Sequence, residues 1–234
     1  MIDLETCAKL TDRLHSVNQN ISQACADTDQ NRADVSLLAV SKKHSVDAIK
    51  HIYSLGQTAF GENYVQEGVD KVQALSGLAI DWHFIGPIQS NKSKSVAEHF
   101  DWVHTIDREK IAVRLDQQRP RDKSPLNVLI QVNISQQESK SGVDLTEISA
   151  LANSISRMDN LSLRGLMCIP AEQEIELLRH DFTKMQTAFQ QLKSEYPTID
   201  TLSMGMSGDL STAIEYGSTL VRIGTAIFGP RNVK

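Results

Sequence analysis

The sequence predicts an α/β protein whose chain closes into a TIM-type (β/α)8 barrel. Three observations support this fold: short apolar runs typical of buried strands, amphipathic helical segments between them, and about eight repeats of that pair within 234 residues. Strands and helices that alternate in this way form a parallel sheet. About eight such units in a chain of this length indicate a closed barrel.

The first elements of the chain establish the alternation. A helix is predicted over about residues 3–28, because five residues recur at steps of three and four on one face: Cys7, Leu10, Leu14, Val17 and Ile21. Residues 36–41 then form a short apolar run of the kind that a strand buried on both faces gives. A helix over residues 46–55 follows, with Ser45 placed to cap its start and Gly56 to end it.

Seven further strands are predicted, at residues 59–62, 82–86, 102–106, 126–134, 163–169, 202–206 and 220–228. Helical segments separate most of them, and the segment before the seventh strand is clearly amphipathic through Leu178, Phe182, Met185, Phe189 and Leu192. We find no linker or internal repeat, so residues 1–234 are expected to form one domain. In such barrels the chemistry lies at the carboxyl ends of the strands.

Composition and charge exclude several classes of protein. The net charge of −5 and the pI near 5.8 argue against nucleic acid as a partner, because that binding depends on clustered Lys and Arg. Cys7, Cys25 and Cys168 are widely spaced, which predicts reduced thiols and no metal site. The acidic N-terminus is unlike a signal peptide, and no apolar run is long enough to span a membrane. We therefore expect a cytoplasmic protein without membrane contact.

Two polar residues follow the first two predicted strands. Lys42 ends the apolar run at 36–41, and a lysine that leaves a buried strand can be desolvated, which frees its amine to attack an aldehyde. The alternative is an ordinary surface lysine, as we expect for Lys43. The amide of Asn63 could bond a ring hydroxyl or an aldehyde oxygen, or could serve in a turn or a cap.

The seventh and eighth strands carry a second group of candidates. Ser207 precedes a predicted helix, where free backbone N–H groups favour a phosphate, although an ordinary N-cap serine is the alternative. A hydrolase nucleophile is disfavoured, because the motif G-x-S-x-G needs glycine where this chain has Asp209. Arg222 lies among apolar residues and needs acceptors, for which a structural carboxylate is the alternative to a ligand. Gly224 would let the backbone approach a phosphate closely.

Five stretches of the chain closely resemble the pyridoxal-phosphate homeostasis protein family. They occur in order between about Leu37 and Gly229 and are highly specific: AVSK at 39–42, FGENYVQE at 60–67, WHFIGPIQSNK at 82–92, LSMGMS at 202–207 and VRIGTAIFG at 221–229. The resemblance implies the barrel of the alanine racemase N-terminal domain, fold type III among proteins that bind pyridoxal 5'-phosphate (PLP). One departure is Lys43-His44, which replaces the pair that often follows the family lysine.

The resemblance implies that PLP, the vitamin B6 cofactor, forms an internal aldimine with Lys42, which is a Schiff base. Ser207 and the backbone around Gly224 and Thr225 would hold the phosphate. These assignments agree with the separate expectation that a reactive amine follows the first strand and a phosphate site follows the seventh and eighth.

Three more residues are implied to contact PLP: Arg222 would face the pyridine nitrogen, and Asn63 and Met206 would line the cofactor. An arginine beside that nitrogen keeps it unprotonated and weakens the ring as an electron sink. A second domain that could supply an opposing acid, as racemases need, is not expected after the last strand. The implied function is therefore PLP homeostasis as a carrier, buffer or regulator, with no catalytic residues and no efficient turnover.

Several alternatives stay open at this point. The chain could be an enzyme, either a weak amino-acid racemase or an aldolase that uses Lys42 directly on a sugar phosphate, or a partner-binding scaffold with a vestigial site. A monomer is implied by the resemblance, and PLP-dependent apoenzymes are the candidate recipients of PLP. Lys140, in the polar segment 136–142, could take part in release or could be merely solvated.

Overall fold

The eight strands of the barrel are all parallel and follow chain order, so that the first strand closes against the last. The structure, a computed structural model, describes residues 2–137 and 140–230. The strands are β1 (Ser36–Val40), β2 (Ala59–Glu62), β3 (Asp81–Phe84), β4 (Trp102–Ile106), β5 (Leu126–Val132), β6 (Leu161–Cys168), β7 (Thr201–Ser203) and β8 (Leu220–Ile223). The predicted (β/α)8 barrel is confirmed.

Helices precede, separate and follow the strands. They are α1 (Leu4–Asp27), α2 (Val46–Ser54), α3 (Val65–Ala74), α4 (Ser93–His99), α5 (Glu109–Gln118), α6 (Ile148–Ile155), α7 (Ile175–Glu195), α8 (Leu210–Glu215) and α9 (Thr225–Phe228), with short 3-10 helices at Arg32–Asp34 and Leu145–Glu147. In the described parts of the chain, none of these helices has the length and apolar character needed to cross a membrane.

Helix α1 covers the wall of the barrel where β8 meets β1. Its first turn is capped by Asp3, whose side chain accepts a hydrogen bond from the amide of Thr6 at 2.7 Å. The helix packs against α2, α8 and α9, which flank that seam. Its buried stripe consists of Leu10, Leu14, Val17, Ile21, Ala24 and Cys25.

The strands are buried on both faces, which explains why they read as continuous apolar runs. The largest fully buried side chains include four phenylalanines: Phe60, Phe84, Phe100 and Phe182. A few polar side chains are also buried within the strands: Glu62, His83, His104, Thr105, Thr201, Ser203 and Arg222. A polar group inside a core is costly without partners, so the bonds of this set define the interior.

The prediction of one strand over residues 220–228 is wrong in its second half. β8 ends at Ile223, and Thr225–Phe228 forms the short helix α9. The chain turns at Gly224, whose carbonyl accepts hydrogen bonds from the amides of Ile227 and Phe228 at 2.9 and 3.0 Å. A short apolar run fits a buried strand and a buried helical turn equally well, and this ambiguity caused the error.

Five other strands end before their predicted limits, and two of them, β1 and β6, do so by one residue. β7 covers Thr201–Ser203 instead of 202–206, because Gly205 adopts a φ of 98°, in the region that favours glycine. The carbonyl of Gly205 still accepts a hydrogen bond from the amide of Arg222 at 2.9 Å, so the segment stays attached to β8. β3 and β5 end at Phe84 and Val132, each just before a loop.

Candidate functional site

The candidate residues gather at the carboxyl ends of four neighbouring strands. Lys42 and Asn63 follow β1 and β2, Ser207 follows β7, and Arg222 lies within β8. Around the barrel these strands stand in the order β7, β8, β1, β2, and Leu38 of β1 is paired with Arg222. Closure of the barrel therefore brings candidate residues from the first two strands and from the last two strands to the same side of the barrel.

Lys42 lies in a tight turn directly after β1. The amide of Ser41 donates to the carbonyl of Gly61 at 3.0 Å, and the amide of His44 donates to the carbonyl of Ser41, also at 3.0 Å. Lys43 adopts a φ of 64°, which is uncommon for a residue with a side chain. Lys42 is half-buried whereas Lys43 is exposed, so the two neighbouring lysines differ in environment.

A buried charge cluster holds this turn. Glu62 is fully buried, and its Oε1 accepts hydrogen bonds from Ser41 Oγ at 2.6 Å and from Lys71 Nζ at 2.8 Å. Lys71 Nζ also donates to the carbonyl of Ser41 at 2.8 Å and to Glu67 Oε1 at 2.7 Å. Glu67 Oε1 in turn accepts from the amide of Lys43 at 2.5 Å. One ion network therefore fixes the residues before and after the candidate lysine.

The cluster depends on Lys71 for its charge balance. Burial raises the pKa of Glu62, and the positive charge of Lys71 opposes that rise. Removing one partner of a buried ion pair leaves an uncompensated charge, which costs far more than an exposed pair is worth. This cluster is not among the features predicted from the sequence, although the spacing of four between Glu67 and Lys71 and the acidic residue ending β2 are signals of it.

Asn63 presents a buried acceptor without a donor. Among the residues that the structure describes, its Oδ1 has no hydrogen-bond partner. The backbone of Asn63 is held against Gly86, where an added β-carbon would lie 2.0 Å from the Asn63 carbonyl oxygen. A buried oxygen in this state is costly until a donor reaches it. The side-chain oxygen thus makes none of the bonds of a turn or capping role, and a ligand hydroxyl would satisfy it.

Arg222 is buried, and oxygens of the barrel interior accept its hydrogen bonds. Nη1 donates to the carbonyl of Ser203 at 2.7 Å and to Ser203 Oγ at 2.6 Å, while Nη2 donates to the carbonyl of Cys168 at 2.8 Å. None of these three acceptors is a carboxylate. The alternative that a structural carboxylate accepts these bonds is therefore wrong. Burial lowers the pKa of Arg222, but a guanidinium stays protonated in proteins. Burial also raises the pKa of the Cys168 thiol to about 12.

Two histidines extend the polar interior beyond Ser203. His104 Nδ1 lies 3.2 Å from Ser203 Oγ, and His104 Nε2 lies 2.9 Å from His83 Nδ1. Burial lowers the pKa of His83 to about 3. Burial also holds the pKa of His104 well below its usual range, with the charges of His83 and Arg222 adding to the effect. Both rings are therefore neutral near pH 7, and neither histidine is among the candidate residues predicted from the sequence.

Two loops present backbone amides suited to an anion. Ser207 and Gly208 precede α8, and Thr225 and Ala226 begin α9. In the described ranges, the amides of these four residues donate no hydrogen bond. The N-cap residue of α8 is Asp209, so the ordinary capping role considered for Ser207 is not observed. Free amides of this kind bind phosphate well.

Contacts with neighbouring segments fix the shape of these loops. A β-carbon at Gly224 would lie 3.3 Å from the carbonyl oxygen of Val40, so α9 begins close against the end of β1. The amide of Met206 donates to Asp209 Oδ1 at 2.5 Å, and the Met206 side chain is exposed. The loop at Gly224 is thereby positioned beside the strand that leads to Lys42, while the loop at Met206 is held by its own hydrogen bond.

Lys140 lies on a different loop from these candidates. Its Nζ donates to the carbonyls of Ile169 and Pro170 at 3.3 and 2.7 Å, which ties it to the segment after β6. Residues 138 and 139 of the same polar segment lie outside the described residues. Within the described residues, no group of three His, Cys, Asp or Glu side chains could hold a metal ion.

Comparison with known proteins first defines the class. Residues 13–232 match the family model described as alanine racemase, N-terminal domain, which places the barrel among racemase-type folds. A protein of Vibrio alginolyticus named pyridoxal phosphate homeostasis protein is 57% identical, and the match covers 94% of this chain and 99% of that protein. The chain belongs to the family of pyridoxal phosphate homeostasis proteins.

Solved structures have the same fold. An unknown protein from Bifidobacterium adolescentis is 31% identical with a TM-score of 0.92, and the match covers 97% of this chain and 98% of that one. PipY of Synechococcus elongatus, in a structure with PLP bound, is 34% identical with a TM-score of 0.77, over 89% of this chain and 100% of PipY. The resemblance seen in the sequence is confirmed at the level of the family.

Proposed function

We propose that this chain binds PLP covalently through Lys42 and serves PLP homeostasis as a carrier or buffer. The observation that carries the proposal is the meeting, on four adjacent strands, of a lysine on a fixed turn, a buried guanidinium and two loops with free amides. The structure of the relative PipY has been solved with PLP bound, which supports PLP as the ligand at the carboxyl ends of these strands.

The residues present fit PLP group by group. The amine of Lys42 would take the aldehyde, and Arg222 would face the ring nitrogen. The amides near Ser207 and Thr225 would hold the phosphate, and the unpaired Oδ1 of Asn63 would accept from a hydroxyl on the cofactor. The full set of proposed cofactor-binding residues is Lys42, Asn63, Met206, Ser207, Arg222, Gly224 and Thr225.

Arg222 is the reason why we propose binding without efficient turnover. PLP supplies its enzymes with an electron-withdrawing ring, and protonation of the ring nitrogen strengthens that effect. The guanidinium of Arg222 has donors only, so a nitrogen facing it must act as an acceptor and stay unprotonated. Carbanion chemistry is therefore handicapped, and we assign no catalytic residue.

We extend the proposal to the setting in which the protein works. PLP-dependent apoenzymes are the proposed recipients, and the protein is proposed to act as a cytoplasmic monomer in which the barrel and α1 form one domain. The low pI and the lack of a membrane-spanning helix in the described ranges support a protein that diffuses to its partners.

A racemisation assay tests the carrier against the enzyme. PLP-loaded protein is incubated with D- and L-alanine, and the enantiomer ratio is followed by chiral chromatography beside an authentic racemase. We expect no change in the ratio above the rate of free PLP. Turnover of about 1 to 1,000 per second that Lys42→Ala abolishes would show that the protein is an enzyme.

A further inference from the structure

A continuous line of hydrogen-bonded groups runs through the barrel from Arg222 to His83. Arg222 Nη1 bonds Ser203 Oγ at 2.6 Å, Ser203 Oγ lies 3.2 Å from His104 Nδ1, and His104 Nε2 lies 2.9 Å from His83 Nδ1. All four side chains are buried, with at most 5% of any residue exposed. The line crosses four strands, β8, β7, β4 and β3, which no local sequence pattern connects.

The direction of donation in this line is fixed by chemistry. Arg222 can only donate, so it uses a lone pair of Ser203 Oγ. The hydroxyl hydrogen of Ser203 then has one acceptor within reach among the described residues, which is His104 Nδ1. Leaving that hydrogen unbonded in a fully buried place would be costly, so Ser203 donates to His104.

The same logic fixes the tautomers of both histidines. A neutral imidazole that accepts at Nδ1 carries its proton at Nε2. His104 therefore donates from Nε2 to Nδ1 of His83, and His83 also carries its proton at Nε2. Every dipole in the line points its acceptor end toward the cation of Arg222, so the bonds strengthen one another.

This line leaves Arg222 with a defined set of free donors. The three hydrogen bonds to Ser203 and Cys168 use both hydrogens of Nη1 and one hydrogen of Nη2. The second Nη2 hydrogen and the Nε hydrogen make no bond to a described residue. At the far end, His83 stacks on Trp102 with ring centroids 5.1 Å apart and planes inclined by 7°. The line is thus anchored by packing at one end and by charge at the other.

We propose that Ser203, His104 and His83 are positioning residues for Arg222, and that together they orient its two remaining donors toward the ring nitrogen of bound PLP. This inference rests on the proposed function, in which the ring nitrogen faces Arg222. It adds three interior residues, none of them at the mouth of the barrel, to those that determine how strongly the ring nitrogen is hydrogen-bonded.

The first test uses protein without PLP and examines the line alone. Histidines labelled with 15N are assigned by comparing wild-type protein with His83→Asn and His104→Asn. We expect both rings to be neutral with the proton at Nε2 from pH 6 to pH 8. A proton at Nδ1 of either ring, or an imidazolium, would overturn the proposed direction of the line.

The second test uses PLP labelled with 15N at its ring nitrogen. Ser203→Ala removes the hydroxyl, and Ser218→Ala is the matched control. Ser218 is also fully buried, and its hydroxyl bonds the carbonyls of Leu202, Met204 and Leu220 instead of Arg222. We expect Ser203→Ala to weaken PLP binding about tenfold, as loss of a bond to a charged group does, and to shift the ring-nitrogen resonance toward that of a nitrogen without a donor. Ser218→Ala should leave that resonance unchanged.

A second pair of variants keeps the test decisive if Ser203→Ala folds poorly. His104→Asn retains an acceptor near the position of Nδ1 and should give a resonance close to wild type, whereas His104→Leu should behave like Ser203→Ala. Equal ring-nitrogen resonances in all four variants, with PLP bound, would overturn this inference and leave the proposed function standing. Failure of wild-type protein to bind PLP would instead overturn both.

Discussion

Leu38 of β1 and Arg222 of β8 are paired across the seam that closes the barrel. The pairing places the buried guanidinium on the strand next to the one that leads into Lys42. Two residues that are far apart in the sequence thereby belong to neighbouring strands of the barrel. Helix α1 also covers this seam, because it packs against α2, which follows β1, and against α8 and α9, which precede and follow β8.

The contact between Gly86 and Asn63 gives a sharp prediction. Gly86→Ala would place a β-carbon 2.0 Å from the carbonyl oxygen of Asn63. The backbone would have to shift to relieve this clash, which is costly. We expect a loss of about 1–3 kcal/mol in the free energy of unfolding, measured in urea, together with weaker PLP binding because Asn63 moves. Gly77→Ala is the control, since nothing lies within 4 Å of its β-carbon. Equal stability of the two variants would contradict this packing.

The buried cluster predicts an asymmetry between its partners. Lys71→Met leaves Glu62 and Glu67 without a cation and should cost about 3–5 kcal/mol of unfolding free energy at pH 8. Glu62→Gln keeps an acceptor for Lys71 and leaves Glu67 as its counter-ion, so we expect a loss of about 1 kcal/mol. Lys50→Met, at an exposed position of α2, is the control and should change stability by less than about 0.5 kcal/mol.

The cost of Lys71→Met should depend on pH. Burial raises the pKa of Glu62, and the positive charge of Lys71, which opposes that rise, is missing in the variant. A group whose folded pKa is raised stabilises the folded state below its unfolded pKa, and this contribution is lost as pH rises through the folded pKa. The deficit of Lys71→Met should therefore shrink from pH 8 to pH 5 in urea titrations. An equal deficit at both pH values would show that packing, not charge, holds the turn.

The positions of Lys42 and Asn63 could be predicted from the sequence because each follows a short apolar run that ends abruptly. The Ser203, His104 and His83 line could not, because His104 and Ser203 are 99 positions apart and meet only when the barrel closes. The Glu62–Lys71 pair depends on which face of β2 a helix covers, which periodicity leaves open in a doubly buried strand. The predicted end of β8 is wrong for a similar reason, because the apolar run continues past Gly224 as a helix and not as a strand.

The phosphate cradle predicts strong discrimination between PLP and pyridoxal. Phosphate adds charge-assisted bonds to the amides near Ser207 and Thr225, so we expect pyridoxal to bind at least about 100-fold more weakly in fluorescence titrations. Ser207→Ala should weaken PLP binding by about fivefold and leave pyridoxal binding unchanged. Ser211→Ala, an exposed serine of α8, serves as the control. Similar affinities for the two compounds would rule out the cradle.

The proposed function depends most on covalent attachment of PLP at Lys42. PLP-loaded protein is reduced with borohydride, digested, and mapped by mass spectrometry, with Lys43→Ala as a control that leaves the half-buried lysine in place. We expect one pyridoxyl group on Lys42 in wild-type protein and in the control, and loss of that label in Lys42→Ala. Label found mainly on Lys43 or Lys140 would contradict it.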